Sequence, residues 1–371
     1  MGSIVSMVNS PGLGDLMEAS LRLCAMARQF PEHQVYAFAA PKTYDEACSL
    51  LLNSEIDYLF FSDRITDKFL AWMPWLGGGG SWEESWGSKS PGLVYPTIMV
   101  PTYPEWNENS DQYILSKEVV DRTFFSLPSE IQEQSRRKLL ELGLDESKWF
   151  IVLHMREDAY RSAPGHPRSI RELERYFDLI RHIVEAGGQV VRLGDTLMKR
   201  LPDMPGLIDL ALVPQSFLTQ AYACSTARFL FGSSSSPAII ATGFNTPSVF
   251  ANALNTFSFL SAPKNNIIAT KKIHMPDGTV MRDRATDNNI YAHEQHWYGK
   301  ADQLEELTTA ELCELADLML ERTCEVAGWT FRPVSPLPVR MVDGKVHPDE
   351  IARRNSWARI YFTDVKAELL R

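Results

Sequence analysis

The chain has 371 residues, a length that suggests two domains rather than one. Hydrophobic residues make up 44% of it and charged residues 23%, which is ordinary for a globular protein. The formal net charge of −10 argues against broad binding to nucleic acid or to anionic membranes.

The sequence also favours a cytoplasmic location. No apolar run approaches the roughly 20 residues that a membrane-spanning helix needs. The first ten residues lack the basic and apolar segments of a signal peptide. The five cysteines are scattered, odd in number and without a CxxC pattern, which favours reduced thiols. We therefore expect a cytoplasmic protein with no membrane span.

The N-terminal part is predicted to be a strand–helix–strand unit. Residues 3–8 and 34–39 have the apolar character of strands, and residues 16–29 have helical periodicity. Residues 11–15, with the sequence PGLGD, are predicted to form the turn between the first strand and the helix. This order of elements indicates a parallel sheet.

Residues 58–61 could form a further strand, but residues 72–106 are different. That region contains five tryptophans, many prolines and four consecutive glycines, so regular structure is not expected in it. A long loop in a compact enzyme is often a lid or a binding loop, and a packed irregular segment is the alternative. A helix is predicted after it, at residues 128–142.

The second part of the chain is predicted to alternate strands and helices again. The expected strands are 150–153, 189–193, 229–231 and 247–250, and the expected helices are 170–185, 217–224, a short one ending near 242, and one within 304–326. The tail is rich in proline and is predicted to be helical from about residue 348. The expected fold class is α/β, with Rossmann-like doubly wound domains at 1–140 and 141–330 and a tail at 331–371 that could pack back on the N-terminal domain.

The most informative segment is the apolar run WFIVL at 149–153, which ends in a cluster of polar residues. Such a run is typical of a buried strand in a parallel sheet, and ligands bind beyond the carboxyl ends of these strands. The side chain of Arg156 can meet phosphate oxygens with two parallel hydrogen bonds, so we interpret it as an anion clamp. His154 could be a base or a hydrogen-bonded histidine below the site, and Asp158 could orient or deprotonate a hydroxyl.

A second signal is the sequence GSSSSP, which follows another predicted strand. A glycine and small hydroxyl residues at a helix start favour anion binding, because free backbone N–H groups and the helix dipole both point at the ligand. An ordinary helix N-cap is the alternative. The predicted phosphate cradle consists of Gly232, Ser233, Ser234, Ser235 and Ser236.

A third signal is VVRLGD, which ends the strand predicted at 189–193. Gly194 and Asp195 at its end, together with Lys199, are candidates for binding the diphosphate. Arg192 belongs to the same group. Structural ion pairing is the alternative interpretation of these charged residues.

The PGLGD sequence near the N-terminus contains GxG but lacks the third glycine of the dinucleotide-binding fingerprint. Gly12 and Gly14 could let a ligand approach the backbone, with Asp15 facing the cleft between the domains as a further catalytic candidate. A plain tight turn is equally compatible with the pattern. The missing glycine and the absence of an acidic residue after the second strand count against a nicotinamide oxidoreductase.

A polar segment near residue 280 contains candidate metal ligands. Asp277, Asp283 and Asp287 could hold Mg²⁺ or Mn²⁺ beside a diphosphate, because these ions usually take few protein carboxylates and keep waters. His293 and His296 could also ligate a metal, but a surface loop is the favoured interpretation of that segment. The sequence leaves the choice of ligands open.

Three motifs together resemble a family of bacterial glycosyltransferases with the GT-B fold: HMREDAYR at 154–161, GGQVVRLGD at 187–195 and RFLFGSSSSP at 228–237. The pattern is more distantly similar to fucosyltransferases, whose HxRxxD-like motif binds GDP-fucose. His154, Arg156 and Asp158 occupy those positions approximately, with Glu157 standing where fucosyltransferases usually have a second arginine.

The resemblance implies two Rossmann-like domains facing each other across a cleft, with the C-terminal domain binding the diphosphate of a GDP-sugar. The group of proteins that the chain resembles includes flavin-free mutases that interconvert the pyranose and furanose rings of GDP-fucose. A metal-assisted mutase of this kind is narrowly favoured. The alternatives are transfer of the sugar to a small soluble acceptor and a non-catalytic nucleotide-sugar-binding protein. No flavin or nicotinamide is expected.

Overall fold

The computed structural model describes residues 2–8, 13–39, 49–50, 52–61, 97–100, 123–158, 166–214, 217–233, 235–253, 266–274, 276–281, 303–323, 341–342, 345–346 and 359–362. In chain order their helices and strands are β1 (Gly2–Val8), α1 (Leu13–Gln29), β2 (His33–Ala39), β3 (Tyr58–Phe61), β4 (Thr97–Val100), α2 (Ser129–Glu141), β5 (Phe150–His154), α3 (Arg175–Glu185), β6 (Gln189–Arg192), β7 (Leu207–Asp209), α4 (Phe217–Thr226), β8 (Leu230–Gly232), α5 (Ser236–Gly243), β9 (Ser248–Ala253), β10 (Ile267–Thr270), β11 (Lys272–His274), β12 (Val280–Met281), β13 (Leu304–Glu305), α6 (Thr309–Arg322), β14 (Met341–Val342), β15 (Lys345–Val346) and β16 (Arg359–Phe362).

Two parallel sheets organise the described residues. The first has the strand order β16-β3-β2-β1-β4, and the second has the order β10-β9-β8-β5-β6-β7. In the second sheet, strands β5, β6, β8 and β9 are buried along their whole length, as expected for parallel strands covered by helices on both faces. The α/β fold class with two doubly wound sheets is therefore confirmed.

One hydrophobic cluster joins the two sheets. It contains Ile4 of the first sheet, Leu16 of α1, Val152 of the second sheet and Ile239 of α5, all buried. A separate cluster lies on the other face of the second sheet, where α3 and α6 pack. Because the helices α1 and α5 bury apolar side chains against each other, the starts of these helices are held near one another.

Three predictions of the type of element are wrong. The turn predicted at 11–15 is partly helical, since α1 begins at Leu13. The strand Thr97–Val100 lies in the region predicted to be irregular, where pairing with β1 makes it part of the first sheet. In the tail, Arg359–Phe362 is a strand paired with β3 instead of part of a helix. The other residues of the tryptophan-rich region lie outside the described residues, so its role as a lid stays a prediction. The domain boundaries also stay a prediction.

The helix predicted at 170–185 begins only at Arg175. The preceding residues bond elsewhere: the N–H of Ile170 donates to the carbonyl of Arg156 at 2.7 Å, and the N–H of Arg171 donates to the Glu306 carboxylate at 2.9 Å. These bonds connect the segment to distant parts of the chain, and helical periodicity does not reveal them.

Gly243, at the end of α5, forms a tight junction with the segment before α2. Its carbonyl accepts hydrogen bonds from the N–H groups of Phe124 and Phe125 at 2.7 and 2.9 Å, and a Cβ on Gly243 would overlap the Phe125 ring. We expect Gly243→Ala to lower the free energy of unfolding by about 1–3 kcal/mol, measured by chemical denaturation. In the background Phe125→Ala the same change should be smaller, because the ring atoms Cγ, Cδ2 and Cε2 that the new Cβ would meet are absent. Equal losses in both backgrounds would contradict this explanation.

Candidate functional site

The second sheet has a topological switch point between β5 and β8. From β5 the chain winds outward through β6 and β7, and from β8 it winds outward in the opposite direction through β9 and β10. The two inner strands are direct neighbours, with His154 paired to Gly232. In open α/β sheets the ligand crevice lies outside the carboxyl ends of the strands at such a point. The topology therefore brings the predicted anion clamp and the predicted phosphate cradle to the same crevice.

The backbone of Arg156 is fixed from two sides. Its N–H donates to the Ser233 hydroxyl at 3.1 Å, and its carbonyl accepts from the N–H of Ile170 at 2.7 Å. The N–H of Ser233 in turn donates to the carbonyl of His154 at 3.1 Å. The buried Ser233 therefore braces the loop after β5, and its hydroxyl proton is left to donate in another direction.

The start of α5 has the features of an anion site. Ser235 occupies the N-cap position with an extended backbone, but its side chain makes no capping hydrogen bond to the helix. The Ser235 hydroxyl therefore does not cap the helix, as the alternative interpretation of this sequence would require. Gly232 must be small, because a Cβ there would lie 2.6 Å from the carbonyl oxygen of His154. Ser236 is half-buried, and Ser234 lies outside the described residues.

The start of α1 meets the start of α5 across the crevice. A Cβ on Gly14 would lie 2.8 Å from the Ser236 Oγ, so glycine permits this close approach. The positive ends of two helix dipoles, of 17 and eight residues, therefore converge on one place. Gly12 and the side chain of Asp15 lie outside the described residues, so their proposed roles stay predictions.

Arg192 is a structural residue at the centre of a buried ion-pair network. Its guanidinium is fully buried and donates to Glu157, to Asp209 and to the carbonyl of Lys199, each at 2.8 Å. Glu157 also accepts from the N–H of Lys199 at 2.9 Å. The structural alternative therefore applies to Arg192. Glu157, the residue after Arg156, belongs to the same network because its carboxylate pairs with Arg192.

The backbone groups or side chains of the three candidates after β6 make hydrogen bonds within the protein. The backbone of Gly194, with a φ of 153°, exchanges two hydrogen bonds with the side chain of Gln220. The Asp195 carboxylate accepts from the N–H of Leu197 at 2.8 Å, and the Lys199 side chain is exposed. These contacts place the three residues one strand away from the switch point. Their binding to a diphosphate stays a prediction.

His154 lies at the carboxyl end of β5 and is 8% exposed. Among the described residues its Nδ1 has no hydrogen-bond partner. Burial, followed by the positive charges of Arg156 and Arg192, lowers the pKa of His154 from 6.5 to about 3. The imidazole is therefore neutral at neutral pH, and a pKa so far below the operating pH makes it a poor proton acceptor. The half-buried Asp158 is the better candidate for a base.

The low pKa of His154 predicts a pH dependence of stability. Below the ordinary pKa of about 6.5 the unfolded chain binds a proton that the folded protein does not, so stability falls as the pH decreases towards 3. The loss from this group should reach about 2 kcal/mol between pH 6.5 and 5. His154→Gln should remove it, so that urea denaturation at pH 7.5 and 5 gives a flatter dependence. Parallel dependences for the two proteins would contradict the assignment.

A buried lysine at the same edge of the sheet was not identified from the sequence. Lys271 directly follows β10 and is 1% exposed, and the negative charge of Asp158 acts on it. The apolar residues 267–269 are followed by Thr270 and Lys271, which is the same pattern of a strand followed by polar residues as in the segment that ends at His154. This pattern is the one signal that could have indicated Lys271.

The described residues contain no group of three or more His, Cys, Asp and Glu side chains that could hold a metal ion. The Asp277 carboxylate accepts from the N–H of Thr279 at 2.9 Å in an exposed turn. Asp283, Asp287, His293 and His296 lie outside the described residues.

In the part of the chain that the structure describes, no helix is both long and apolar enough to cross a membrane.

Comparison with known proteins identifies the fold. No protein-family model and no curated protein sequence matches the chain. Among solved structures, a glycosyl transferase family 9 protein from Veillonella parvula is 13% identical, with a TM-score of 0.50 over 86% of this chain and 98% of that one. E. coli ADP-heptose LPS heptosyltransferase II is 11% identical, with a TM-score of 0.46 over 86% and 99%. The chain has the α/β fold of the GT-B glycosyltransferases.

Proposed function

We propose that this protein is an enzyme that binds a nucleoside-diphosphate sugar and breaks the bond between the anomeric carbon and the diphosphate. The observation that carries the proposal is the topology of the second sheet. Its switch point joins the loop that contains Arg156 to the serine-rich start of α5, and the start of α1 lies opposite. Arg156 provides a guanidinium and α5 provides a helix N-terminus, and both kinds of group bind the negatively charged oxygens of a diphosphate.

The diphosphate would bind between these groups. Arg156 would pair with its oxygens in bidentate fashion, while Ser235 and Ser236 would donate hydroxyl hydrogen bonds. Contacts of this kind stabilise the negative charge that develops on the departing diphosphate, and they therefore lower the barrier for the reaction. Further candidates for this binding are Gly12, Gly14, Gly194, Asp195, Lys199, Gly232, Ser233 and Ser234.

A hydroxyl group attacks the anomeric carbon as the bond to the diphosphate breaks. The Asp158 carboxylate would accept the proton of this hydroxyl, since the neutral, buried His154 is a weak base. Asp15 would be the alternative base from the facing helix. In a transferase the hydroxyl belongs to a small soluble acceptor. In a ring mutase it belongs to the sugar itself, and the diphosphate then attacks the anomeric carbon again while the original ring C–O bond breaks and that ring oxygen takes the proton back.

The motif of His154, Arg156 and Asp158 favours GDP-fucose as the sugar nucleotide, through its likeness to fucosyltransferases, and the mutase is the narrower part of the proposal. The diphosphate contacts themselves do not select a base or a sugar. Mg²⁺ or Mn²⁺ beside the diphosphate is also part of the proposal, as a further source of positive charge near the leaving group.

Binding is tested first, by calorimetry with GDP, UDP and ADP. Failure to bind any of them would overturn the proposal. Incubation with GDP-fucose is then followed by proton NMR, with Mg²⁺ or Mn²⁺ and with EDTA. A product of unchanged mass with furanose couplings establishes a mutase, and GDP release that needs an added acceptor establishes a transferase. Tight binding without turnover, for this and other sugar nucleotides, would indicate a binding protein.

A further inference from the structure

Lys271 is tied to a segment that precedes α3. Its Nζ donates to the carbonyl of Ser169 at 2.7 Å and lies 3.4 Å from the Glu306 carboxylate. The ion pair is buried on both sides, with 0% of the lysine side chain and 5% of the glutamate side chain exposed. A buried ion pair often stabilises a fold no better than an apolar pair of the same size, so stability alone does not explain it.

Glu306 holds the same segment from a second direction. Its carboxylate accepts from the N–H groups of Arg171 at 2.9 Å and of Glu172 at 3.3 Å. The carbonyl of Glu306 accepts from the Arg175 guanidinium at 2.8 Å. The ion pair therefore fixes the backbone of residues 169–172, which we call the clamp segment.

The clamp segment reaches the proposed diphosphate site through a single peptide group. The carbonyl of Ser169 and the N–H of Ile170 belong to the same planar peptide. The carbonyl end accepts from Lys271 at 2.7 Å, and the N–H end donates to the carbonyl of Arg156 at 2.7 Å. A cation at the carbonyl end polarises the peptide and strengthens the hydrogen bond that its N–H donates.

We propose that Lys271 is a positioning residue that holds Arg156 in place through the Ser169–Ile170 peptide. This inference rests on the proposed function, in which Arg156 binds the diphosphate. Lys271 does not need to touch the ligand itself. Burial lowers the pKa of its ammonium group below the ordinary value, while Glu306 and Asp158 oppose that shift and favour the charged form.

The clamp itself is tested without any nucleotide, by amide hydrogen exchange. In Lys271→Met we expect the Ile170 amide to exchange at least about tenfold faster, because its hydrogen bond to Arg156 opens locally. Lys272→Met is the matched control: its ammonium pairs with Glu305 and Glu311 outside the clamp segment, and Ile170 should be unaffected. Unchanged protection of Ile170 in folded Lys271→Met would overturn the proposal.

If Lys271→Met does not fold, the double variant Lys271→Met/Glu306→Gln takes its place, because it leaves no unpaired buried carboxylate. The same faster exchange of Ile170 is expected in it. Protection equal to that of the wild type would again overturn the clamp.

The effect on the site is tested by a double-mutant cycle of GDP affinity. Lys271→Met should weaken GDP binding about tenfold in the wild type and not at all in an Arg156→Ala background. Equal weakening in both backgrounds would mean that Lys271 acts on the structure in general, which overturns the positioning role. If the wild type binds no nucleoside diphosphate, the proposed function fails, and the exchange experiment still decides the clamp.

Discussion

Replacing Arg192 by leucine should lower the free energy of unfolding by about 3–5 kcal/mol. The substitution leaves two carboxylates, those of Glu157 and Asp209, without their shared cation. It also leaves the carbonyl of Lys199 without a donor. Total stabilities of about 5–15 kcal/mol are usual for single proteins, so this variant should unfold at a much lower urea concentration.

Two further variants make this prediction specific. Arg192→Lys keeps the charge but cannot meet both carboxylates and the carbonyl with one ammonium group, so it should lose an intermediate amount. Arg181→Leu is the control, because Arg181 and its partner Asp178 are both exposed and such pairs contribute about 0–1 kcal/mol. A loss in Arg192→Leu no larger than in this control would show that the buried network is not important for stability.

Replacing Arg156 by alanine should weaken binding of the nucleoside diphosphate about 100-fold or more. A hydrogen bond to a charged group contributes about 1.5–3 kcal/mol, and a bidentate contact contains two of them. Arg156→Lys should recover only part of the affinity, because a single ammonium group lacks the planar fork. Because the side chain of Arg156 is only half-buried, we expect no large change in the free energy of unfolding of Arg156→Ala. Calorimetry with GDP measures the effect.

The control for the binding experiment is Arg181→Ala. This variant removes an exposed positive charge on α3, in a part of the sequence that contributes no residue to the candidate site. It should bind GDP like the wild type. Wild-type affinity in Arg156→Ala would instead remove Arg156 from the site. If both variants weaken binding equally, the contribution is a general effect of charge, which added salt should suppress.

The motifs that define the candidate site could be recognised in the sequence because each is local. Phe150–His154 is an uninterrupted apolar strand, and the serines before Pro237 open a helix. These patterns depend on neighbours in the chain, since burial of a strand and the start of a helix are set by short-range composition. The α/β class was predicted from the alternation of strands and helices along the chain.

Other features depended on partners that are distant in the chain. The helix at Arg175 starts late because the clamp segment bonds to Arg156 and Glu306. Arg192 is a structural cation because Asp209 and Glu157 meet it in the interior. Sequence spacing contains no information about these distances, so charge alone could not separate a ligand-binding arginine from a buried ion pair.

By itself the sequence determined the type of most elements and the parallel α/β class. Apolar periodicity and helix starts are local consequences of side-chain chemistry, which explains this success. Only the tertiary structure decided that β5 and β8 are neighbours at a switch point and that the start of α1 meets the start of α5. It also decided that Lys271 and Arg156 bond to the same peptide group, between Ser169 and Ile170. Strand order and burial arise from packing among residues far apart in the chain, and packing exists only in the folded protein.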